Sequence, residues 1–307
     1  MNSKALYIYK YPMYSTIKKK ISNKLILGTA QFGDAYGISN KSGILRKSEA
    51  YKILKYSINN NVRYLDTSNE YKGIKRILGK CNLKNWKISM KISKKKFSGS
   101  KNEKEFNLMF FKILKSLKQK KFEYFLFHHS NDLISKNGNK IYKFLIKLKR
   151  RGLISKIGVS AYSPNEIRKV ISKYKIDVVQ LPYNVFDQRL NNKLFLKKLK
   201  SMNIEIHVRS IFLQGLLLLN EKELPKKFVK LKPHFKKWYN FLERNNTNAL
   251  SECLKFVISN PNIDKYVIGV NSLADLKGIL LSKANFTKKK FNSLKSNNLN
   301  LIDPRRW

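Results

Sequence analysis

The sequence predicts a single (β/α)8 barrel, and three observations lead to this fold class. About eight short apolar segments alternate with longer segments whose apolar residues recur at helical spacing. The apolar segments show no alternating polar face that solvent could contact, which is typical of parallel strands covered by helices. No G-x-G-x-x-G follows the first of them, which disfavours an open dinucleotide-binding sheet. This number of units in 307 residues fits one closed barrel better than a doubly wound sheet.

The strands are predicted from short apolar runs, several of which end in polar residues. In chain order they are KLILGTA (24–30), RYLDTS (63–68), WKISMKIS (86–93), FEYFLFHHS (122–130), ISKIGVSAY (154–162), DVVQLPYNVF (177–186), IEIHVRSIFLQG (204–215) and KYVIGV (265–270). The last residues of the seventh run open a longer and less regular stretch. We expect the segment 220–246 within it to lie over or beside the barrel mouth.

The helices are predicted from apolar residues at helical spacing. They are KSEAYKILKYSINNNV (47–62), a turn at IKRILGK (74–80), EKEFNLMFFKILKSLKQK (103–120), NKIYKFLIKLKRRG (139–152), SPNEIRKVISKYK (163–175), NNKLFLKKLKSMN (191–203), NALSECLKFVISN (248–260) and SLADLKGILLSK (272–283). Ser48 is the expected N-cap of the first helix, Pro164 suits a first helical turn, and Gly79 and Gly152 are expected helix ends.

The domain organisation follows from these elements. We expect residues 24–285 to form the barrel and residues 286–307 to form a C-terminal tail that packs on it. Residues 1–23 are basic and aromatic, and we expect them to be a poorly ordered extension. They lack the continuous apolar region and cleavage site of a secretory signal.

The charge is extreme but spread out. The chain has 65 Lys and Arg against 19 Asp and Glu, a net charge of +46. The lysines lie throughout, commonly near Asn and Ile, with no basic stripe, helix-turn-helix or zinc-finger pattern. A composition bias of the whole proteome explains this better than a specific nucleic-acid partner. A polyanion-binding protein remains an alternative that rests on charge alone, since such a surface binds polyanions non-specifically at low salt.

Two further features bear on location. Cys81 and Cys253 lie far apart without a C-x-x-C, so we expect ordinary thiols of a reducing compartment and neither a disulfide nor a metal site. No run of about 18 uncharged apolar residues is present, so no membrane span is expected. The expectation is a cytoplasmic monomer or weak homo-oligomer that acts on a small molecule.

Four chemically compatible residues come at or just after neighbouring predicted strand ends. Asp66 ends the second strand and Tyr71 follows it, while Lys91 and His128 lie near the ends of the third and fourth. A parallel barrel gathers these ends at one mouth, so the side chains can converge. Each also has an ordinary explanation, such as a turn-forming carboxylate or a buried core histidine. The pattern by itself leaves both explanations open.

The chemistry of such a group suits a carbonyl substrate. A tyrosine hydroxyl, with an ordinary pKa of about 10, is a poor proton donor at neutral pH unless a nearby cation lowers that pKa. Lys91 could be the cation, and Asp66 could hold it charged. His128 could donate a hydrogen bond to the substrate oxygen. A carbonyl that accepts hydride develops negative charge on oxygen, which two such donors would stabilise.

Six separated motifs resemble those of the aldo-keto reductase family in order and spacing. They are LGTAQFG, LDTSNEY…LG, FLFHHS, KIGVSAYSP, VVQLPYN and IGVNS, and the resemblance runs from about Lys24 to about Lys283. LPYNVFDQRL, IEIHVRSIFLQGLLL and LIDPRRW are similar to a bacterial subgroup associated with surface-polysaccharide and sugar-nucleotide gene clusters. The resemblance implies a (β/α)8 barrel that reduces aldehydes and ketones with NADPH and without metal.

The resemblance also implies roles for the four residues. Tyr71 would be the general acid and Lys91 would lower its pKa. Asp66 would pair with Lys91, and His128 would orient the carbonyl. We expect the next residue, His129, to point the other way, because adjacent strand residues face opposite sides.

Cofactor residues follow from the same resemblance. Ser160 and Gln180 match residues that hold the nicotinamide carboxamide, and Arg209 stands where many members stack a Tyr, as its guanidinium could. The loop along the pyrophosphate and the start of the last helix add Ser210, Phe212, Gln214, Gly215, Gly269, Asn271, Ser272 and Lys277. The segment GVNS could bind phosphate through backbone N–H groups and Ser272.

The expected cofactor is NADP(H), by family habit, while NAD(H) stays open. No arginine stands where many members hold the adenosine 2′-phosphate, and Asp275 lies in that region. Lys277 is a candidate substitute.

The chain departs from the family pattern at two places. Ala161 replaces an Asn that often follows the matching Ser, which weakens the expected grip on the carboxamide. After Tyr71, Lys72, Ile74 and Lys75 replace Gly, Ser and Glu. The loop could take a different path, or the added lysine could lower the pKa of Tyr71 or attract an anionic substrate.

The sequence thus predicts an NADP(H)-dependent oxidoreductase that reduces an aldehyde or ketone to an alcohol. The subgroup similarity favours a sugar-like or nucleotide-linked substrate, and the cationic surface favours an anionic one. The alternative is a catalytically inactive barrel that binds a dinucleotide in a regulatory or scaffold role.

Overall fold

The computed structural model describes residues 21–73, 77–93, 103–135, 138–282 and 291–307. Eight parallel strands form a closed barrel in chain order, with the last strand bonded to the first. The strands are β1 Leu25–Gly28, β2 Tyr64–Ser68, β3 Lys87–Ile92, β4 Phe122–Phe127, β5 Ile154–Ser160, β6 Val178–Pro182, β7 Glu205–Arg209 and β8 Lys265–Gly269. The predicted fold class is confirmed.

Helices separate successive strands and cover the outside of the barrel. The described α-helices are α1 Lys47–Asn59, α2 Glu103–Ser116, α3 Ser130–Ile134, α4 Gly138–Arg150, α5 Pro164–Ile171, α6 Lys193–Ser201, α7 Lys232–Arg244, α8 Ala249–Ile258, α9 Leu273–Leu280 and α10 Leu299–Ile302. None of the described helices is both long and apolar enough to cross a membrane.

The strand register aligns buried polar side chains toward the carboxyl ends of the strands. These aligned pairs are Asp66 with Ser89, Ser68 with Lys91, and Ser160 with Gln180. Nearer the amino ends, the strands contribute a buried cluster of Tyr124, Leu126 and Val178, against which Tyr64 packs. Buried His207 also lies there, with its ring centroid 4.7 Å from that of Tyr124, so the interior holds polar groups at both ends and the acid–lysine pair at the mouth.

Element ends differ from prediction in a few places. Helix α1 begins at Lys47 after Arg46, and no side chain caps it, so Ser48 is not its N-cap. Strand β2 ends at Ser68, as the run RYLDTS predicts, so Asp66 lies within the strand and does not end it. Pro164 does begin α5, and Gly152, at φ 72°, follows α4 as a left-handed stop. The predicted turn at 74–80 falls partly outside the described residues, which show a short 3-10 turn at Leu78–Lys80.

The segment 220–246 contains a helix that the sequence reading did not identify, α7. Its Trp238 is fully buried, and the indole Nε1 donates to the Leu217 carbonyl at 3.0 Å. The tail also reaches this region, since the Trp307 ring lies 5.1 Å from that of Phe228. The segment is therefore held against the loop that follows β7. The predicted domain boundaries remain a prediction, and residues 1–20 lie outside the described residues.

Candidate active site

A buried carboxylate lies at the centre of the mouth. Asp66 Oδ1 accepts from Lys91 Nζ at 2.6 Å, and both side chains are almost fully buried, at 2% and 5% exposure. Asp66 Oδ2 accepts from Ser89 Oγ and from Gln180 Nε2, each at 3.2 Å. Burial by itself would lower the pKa of Lys91, but the charge and hydrogen bond of Asp66 outweigh it and raise the pKa. Lys91 is therefore a permanent cation.

Tyr71 lies beside this cation. Its amide donates to the Ser68 carbonyl at 3.0 Å, and Lys91 Nζ lies 5.5 Å from the centroid of the Tyr71 ring. Burial raises the pKa of Tyr71, while the Lys91 charge opposes this rise. Lys91 thus lowers the pKa of Tyr71 in the expected direction, but burial is the larger effect and the net direction is upward. Tyr71 stays a neutral phenol with a proton to donate.

His128 completes the group of four. Its ring centroid lies 6.0 Å from that of Tyr71, at an interplanar angle of 84°. Burial first, and then the charges of Lys91 and His129, lower the pKa of His128 to about 2. The ring is therefore neutral at pH 7. The structure thus brings together all four side chains predicted for catalysis; their roles stay a prediction.

The Ser68 hydroxyl and the Glu70 carboxylate compete for Nδ1 of His128. Its Nδ1 lies 3.0 Å from Ser68 Oγ and 3.0 Å from Glu70 Oε2. If the Ser68 hydroxyl donates to Nδ1, then Nε2 carries the ring proton and can donate to a substrate. If Nδ1 carries the proton, it donates to Glu70 and Nε2 becomes an acceptor. The Glu70 carboxylate favours the second tautomer.

The neighbouring histidine does not face away. The His128 and His129 rings stack at 4.9 Å with planes 6° apart, so the prediction for His129 is wrong. Strand β4 ends at Phe127, and the alternation of strand side chains does not extend beyond it. With Glu70, these rings place three donor atoms within 4.8 Å of one another, but the nearby Lys91 charge opposes a bound cation.

The predicted carboxamide-binding residues lie next to this group. Ser160 and Gln180 are paired across β5 and β6, and both are buried. Gln180 Oε1 and Gln31 Oε1 are buried acceptors without a hydrogen-bond partner among the described residues. The carboxamide NH2 of a nicotinamide is the kind of donor that such acceptors need, so these residues fit that group.

Arg209 is already stacked. Its guanidinium lies 4.3 Å from the Tyr162 ring centroid, and Nη2 donates to the Ala161 carbonyl at 3.1 Å. Arg305 lies 3.9 Å from the same ring. The Arg209 guanidinium therefore stacks on the side chain of Tyr162. The Ala161 carbonyl accepts a hydrogen bond from Arg209, at the position where the family pattern often has an Asn side chain.

The loop after β7 has an unusual backbone. Ser210, Leu213, Gln214 and Gly215 all have positive φ, from 50° to 92°. Residues 36–43, which we call the strap, pack against this loop, and Ile38 N donates to the Gln214 carbonyl at 2.8 Å. A Cβ on Gly215 would lie 1.8 Å from Ser39 Oγ. This loop therefore requires glycine where the strap crosses it.

A cavity of about 760 Å³ lies between the strap, the loop after β7 and the amino end of α9. The four catalytic candidates do not line it, but Gln31 and Tyr36 do, and Gly33 between them packs against Gly73 in the loop that carries Tyr71. The cavity therefore begins beside the group of four. The predicted residues that line it are Phe212, Gln214, Gly215, Gly269, Asn271 and Ser272.

Phosphate binding at the start of α9 stays a prediction, and the backbone amides it would use already have partners. Ser272 N and Asn271 N both donate to Asp275 Oδ2, at 3.1 and 2.9 Å, and Ser272 Oγ accepts from Asp275 N. Lys277 lies 5.7 Å from the Tyr56 ring centroid and is not a wall of the cavity. The chain's own carboxylate occupies these amides.

The structure thus places a lysine, a phenol and an imidazole together at the mouth of a closed parallel barrel. The chain belongs to the Aldo/keto reductase family, whose sequence model matches residues 24–298. A curated relative, "Uncharacterized oxidoreductase YqkF" of Bacillus subtilis (strain 168), is 24% identical over 177 residues, which are 54% of this chain and 56% of that protein. The match thus spans just over half of that relative.

Solved structures share the fold. The aldo-keto reductase AKR11C1 from Bacillus halodurans (holo form) is 15% identical with a TM-score of 0.70, over 92% of this chain and 95% of that one. The glycerol dehydrogenase AKR11B4 from Gluconobacter oxydans is 17% identical with a TM-score of 0.66, over 91% of this chain and 92% of that one. Identities this low support the fold alone.

Sequence reasoning missed three residues that the geometry brings to the site. Gln31 and Tyr36 line the cavity, and Glu70 contacts His128. Gln31 stands inside the recognised motif LGTAQFG, and Glu70 directly precedes Tyr71, so both were within quoted motifs. Tyr36 had no such signal, because its contact arises from the folding of the strap.

Proposed function

We propose that the protein reduces an aldehyde or ketone to an alcohol with a nicotinamide cofactor, and that Tyr71 is the general acid. The observation that carries this proposal is the buried Lys91–Asp66 pair directly beside the Tyr71 ring. A permanent cation at this position has no surface role, and it stabilises the phenolate that forms when Tyr71 gives up its proton.

The bound nicotinamide supplies the hydride that adds to the carbonyl carbon. Tyr71 then transfers its phenolic proton to the carbonyl oxygen, and its phenolate is stabilised by Lys91. Asp66 keeps Lys91 charged and in place, and Ser89 and Gln180 hold the carboxylate. In the reverse direction the same phenolate accepts the proton of an alcohol.

The cavity supports binding of an extended dinucleotide. Among the residues that the structure describes, Gln31 offers an unpaired acceptor in its wall, and Gln214 and Gly215 line it as well. The family resemblance favours NADP(H) and leaves NAD(H) open. The adenosine end of the cavity bears on that choice and is treated below.

An anionic, sugar-like or nucleotide-linked carbonyl is the proposed substrate class. A second cavity of about 980 Å³ begins at Ser163, just after β5, and so at the same end of the barrel. Four arginines line it: Arg168, Arg189, Arg305 and Arg306. Arg189 is paired with Asp187 at 2.7 Å and Arg305 with Asp303 at 2.5 Å. Lys295 also lines the cavity, and the overall field of the chain is positive and favours anions.

The test of the proton donor is Tyr71→Phe, measured by steady-state carbonyl reduction with a panel of aldehydes and ketones. Loss of a general acid lowers turnover about 10²–10⁴-fold, while cofactor affinity changes little. Tyr174→Phe is the matched control, because Tyr174 lies after α5 against the Tyr142 ring. Unchanged turnover in Tyr71→Phe would show that another group supplies the proton.

An inactive barrel that binds a dinucleotide is the second candidate. The contact of Glu70 with His128 supports it, because this contact favours the tautomer that cannot donate to a substrate oxygen. Cofactor binding without turnover of any carbonyl in the panel would favour this candidate.

A further inference from the structure

We propose that carboxylates at the amino end of α9 make this chain prefer NAD(H) to NADP(H). The inference rests on the proposed function, because it concerns the adenosine end of the same cofactor. It names Asp275 as the main specificity-determining residue and Glu49 as its partner.

The cavity sets where the adenosine end lies. Its inner end is beside Gln31, and Gly33, two residues further on, packs against Gly73 in the loop that carries Tyr71. The reacting nicotinamide must lie near Tyr71. The cavity leads from there along Gln214 and Gly269 to Asn271 and Asp275, at the amino end of α9. A dinucleotide with its nicotinamide at the mouth therefore places its adenosine ribose near α9.

The backbone donors at this end are already used. Asp275 Oδ2 accepts from Asn271 N at 2.9 Å and from Ser272 N at 3.1 Å. Leu273 N donates to Glu49 Oε1 at 2.8 Å. Two carboxylates thus hold three of the amides that a phosphate would otherwise use. A 2′-phosphate would have to displace one of them or lie against its negative charge.

Lys52 offsets part of the Glu49 charge, since its Nζ lies 3.7 Å from Glu49 Oε2, so the uncompensated charge at this end is chiefly that of Asp275. Among the described residues that line the cavity, the basic one is Lys41, and its Nζ lies 2.8 Å from Glu223 Oε1 on the exposed side of the strap. Lys277 lies over the Tyr56 ring. The adenosine end therefore carries fixed negative charge inside a strongly positive protein.

The adenosine end of the cavity offers hydrogen-bond acceptors instead of cations. Asn271 Oδ1 is buried without a partner among the described residues, and Asp275 and Glu49 add carboxylate oxygens. Ribose hydroxyls can donate to such groups, as they do to the acidic residue of NAD-binding sites in other folds. A phosphate has no proton to give at neutral pH and gains nothing from them.

The test is a calorimetric titration of the full chain with NADH and with NADPH at physiological salt. We expect NADH to bind at least tenfold more tightly, which corresponds to about 1.4 kcal/mol. The +46 charge attracts the more highly charged NADPH non-specifically, so any bias of the assay opposes the prediction. Equal or tighter binding of NADPH overturns the inference and leaves the proposed function standing.

Asp275→Asn isolates the charge while keeping an acceptor for the helix amides. We expect this variant to bind NADPH at least threefold more tightly than the wild type. Glu103→Gln, which removes a first-turn carboxylate from the distant α2, is the matched control. It should leave the ratio of the NADPH and NADH dissociation constants unchanged. An unchanged ratio in Asp275→Asn overturns the inference. Binding of neither dinucleotide overturns it together with the proposed function.

Discussion

The buried pair of Lys91 and Asp66 predicts a large and specific loss of stability when its cation is removed. At the observed 2.6 Å and an effective dielectric constant of about 20, the Coulomb attraction is on the order of 6 kcal/mol. Desolvation of both ions opposes much of it. In Lys91→Met the Asp66 carboxylate keeps only two neutral hydrogen-bond donors, and we expect the free energy of unfolding to fall by about 3–5 kcal/mol.

Urea unfolding followed by far-ultraviolet circular dichroism measures this change. The matched control is Lys200→Met, since Lys200 meets Asp264 at a similar 2.7 Å but is 38% exposed, and we expect a cost of about 0–1 kcal/mol there. In the double variant Asp66→Asn with Lys91→Met, most of the loss should return. A loss below 1 kcal/mol in Lys91→Met, or no recovery in the double variant, would refute this reasoning.

The pair also has a pH signature with a defined sign. The pKa of Lys91 is raised in the folded chain, so its stabilising contribution is fully present below the unfolded pKa of about 10.4. The contribution is lost only as the pH rises through the higher folded value. The stability difference between the wild type and Lys91→Met should therefore stay constant from neutral pH to about pH 10.

Two further substitutions test the surroundings of the site. Glu70→Ala removes the acceptor at His128 Nδ1 and frees Ser68 to donate there, so we expect faster carbonyl reduction in steady-state assays; slower reduction would mean that Glu70 assists His128. Gly215→Ala puts a Cβ where Ser39 Oγ lies and forces φ 92° on an alanine. We expect the free energy of unfolding, measured in urea, to fall by about 1–3 kcal/mol. We also expect cofactor binding, measured by calorimetry, to weaken at least tenfold. Unchanged stability and affinity would show that the strap moves freely.

Much of the fold was predictable because its signals are local. Apolar runs and helical spacing predict the eight strands and most helices, and the order of strand ends brings Asp66, Lys91 and His128 to one mouth. Helix α7 was not predicted although Phe235 and Trp238 have helical spacing and Pro233 lies in its first turn, a position that suits proline.

The remaining differences depend on three-dimensional surroundings. The direction of the Tyr71 pKa follows from burial, which opposes the visible effect of a neighbouring lysine. The orientation of His129 follows from where β4 ends. The occupation of the amides at the start of α9 follows from the capping bonds of Asp275, which combine a side chain with amides three and four residues earlier.

The measurement that tests the central claim most directly is deuteride transfer from the labelled reduced cofactor to a carbonyl substrate. We expect the wild type to place deuterium on the alcohol carbon, detected by mass spectrometry of the product. Tyr71→Phe should bind the cofactor normally and transfer the label at least a hundredfold more slowly, within the range for loss of a general acid. A wild type that binds the cofactor and transfers no label to any member of the panel would contradict the account.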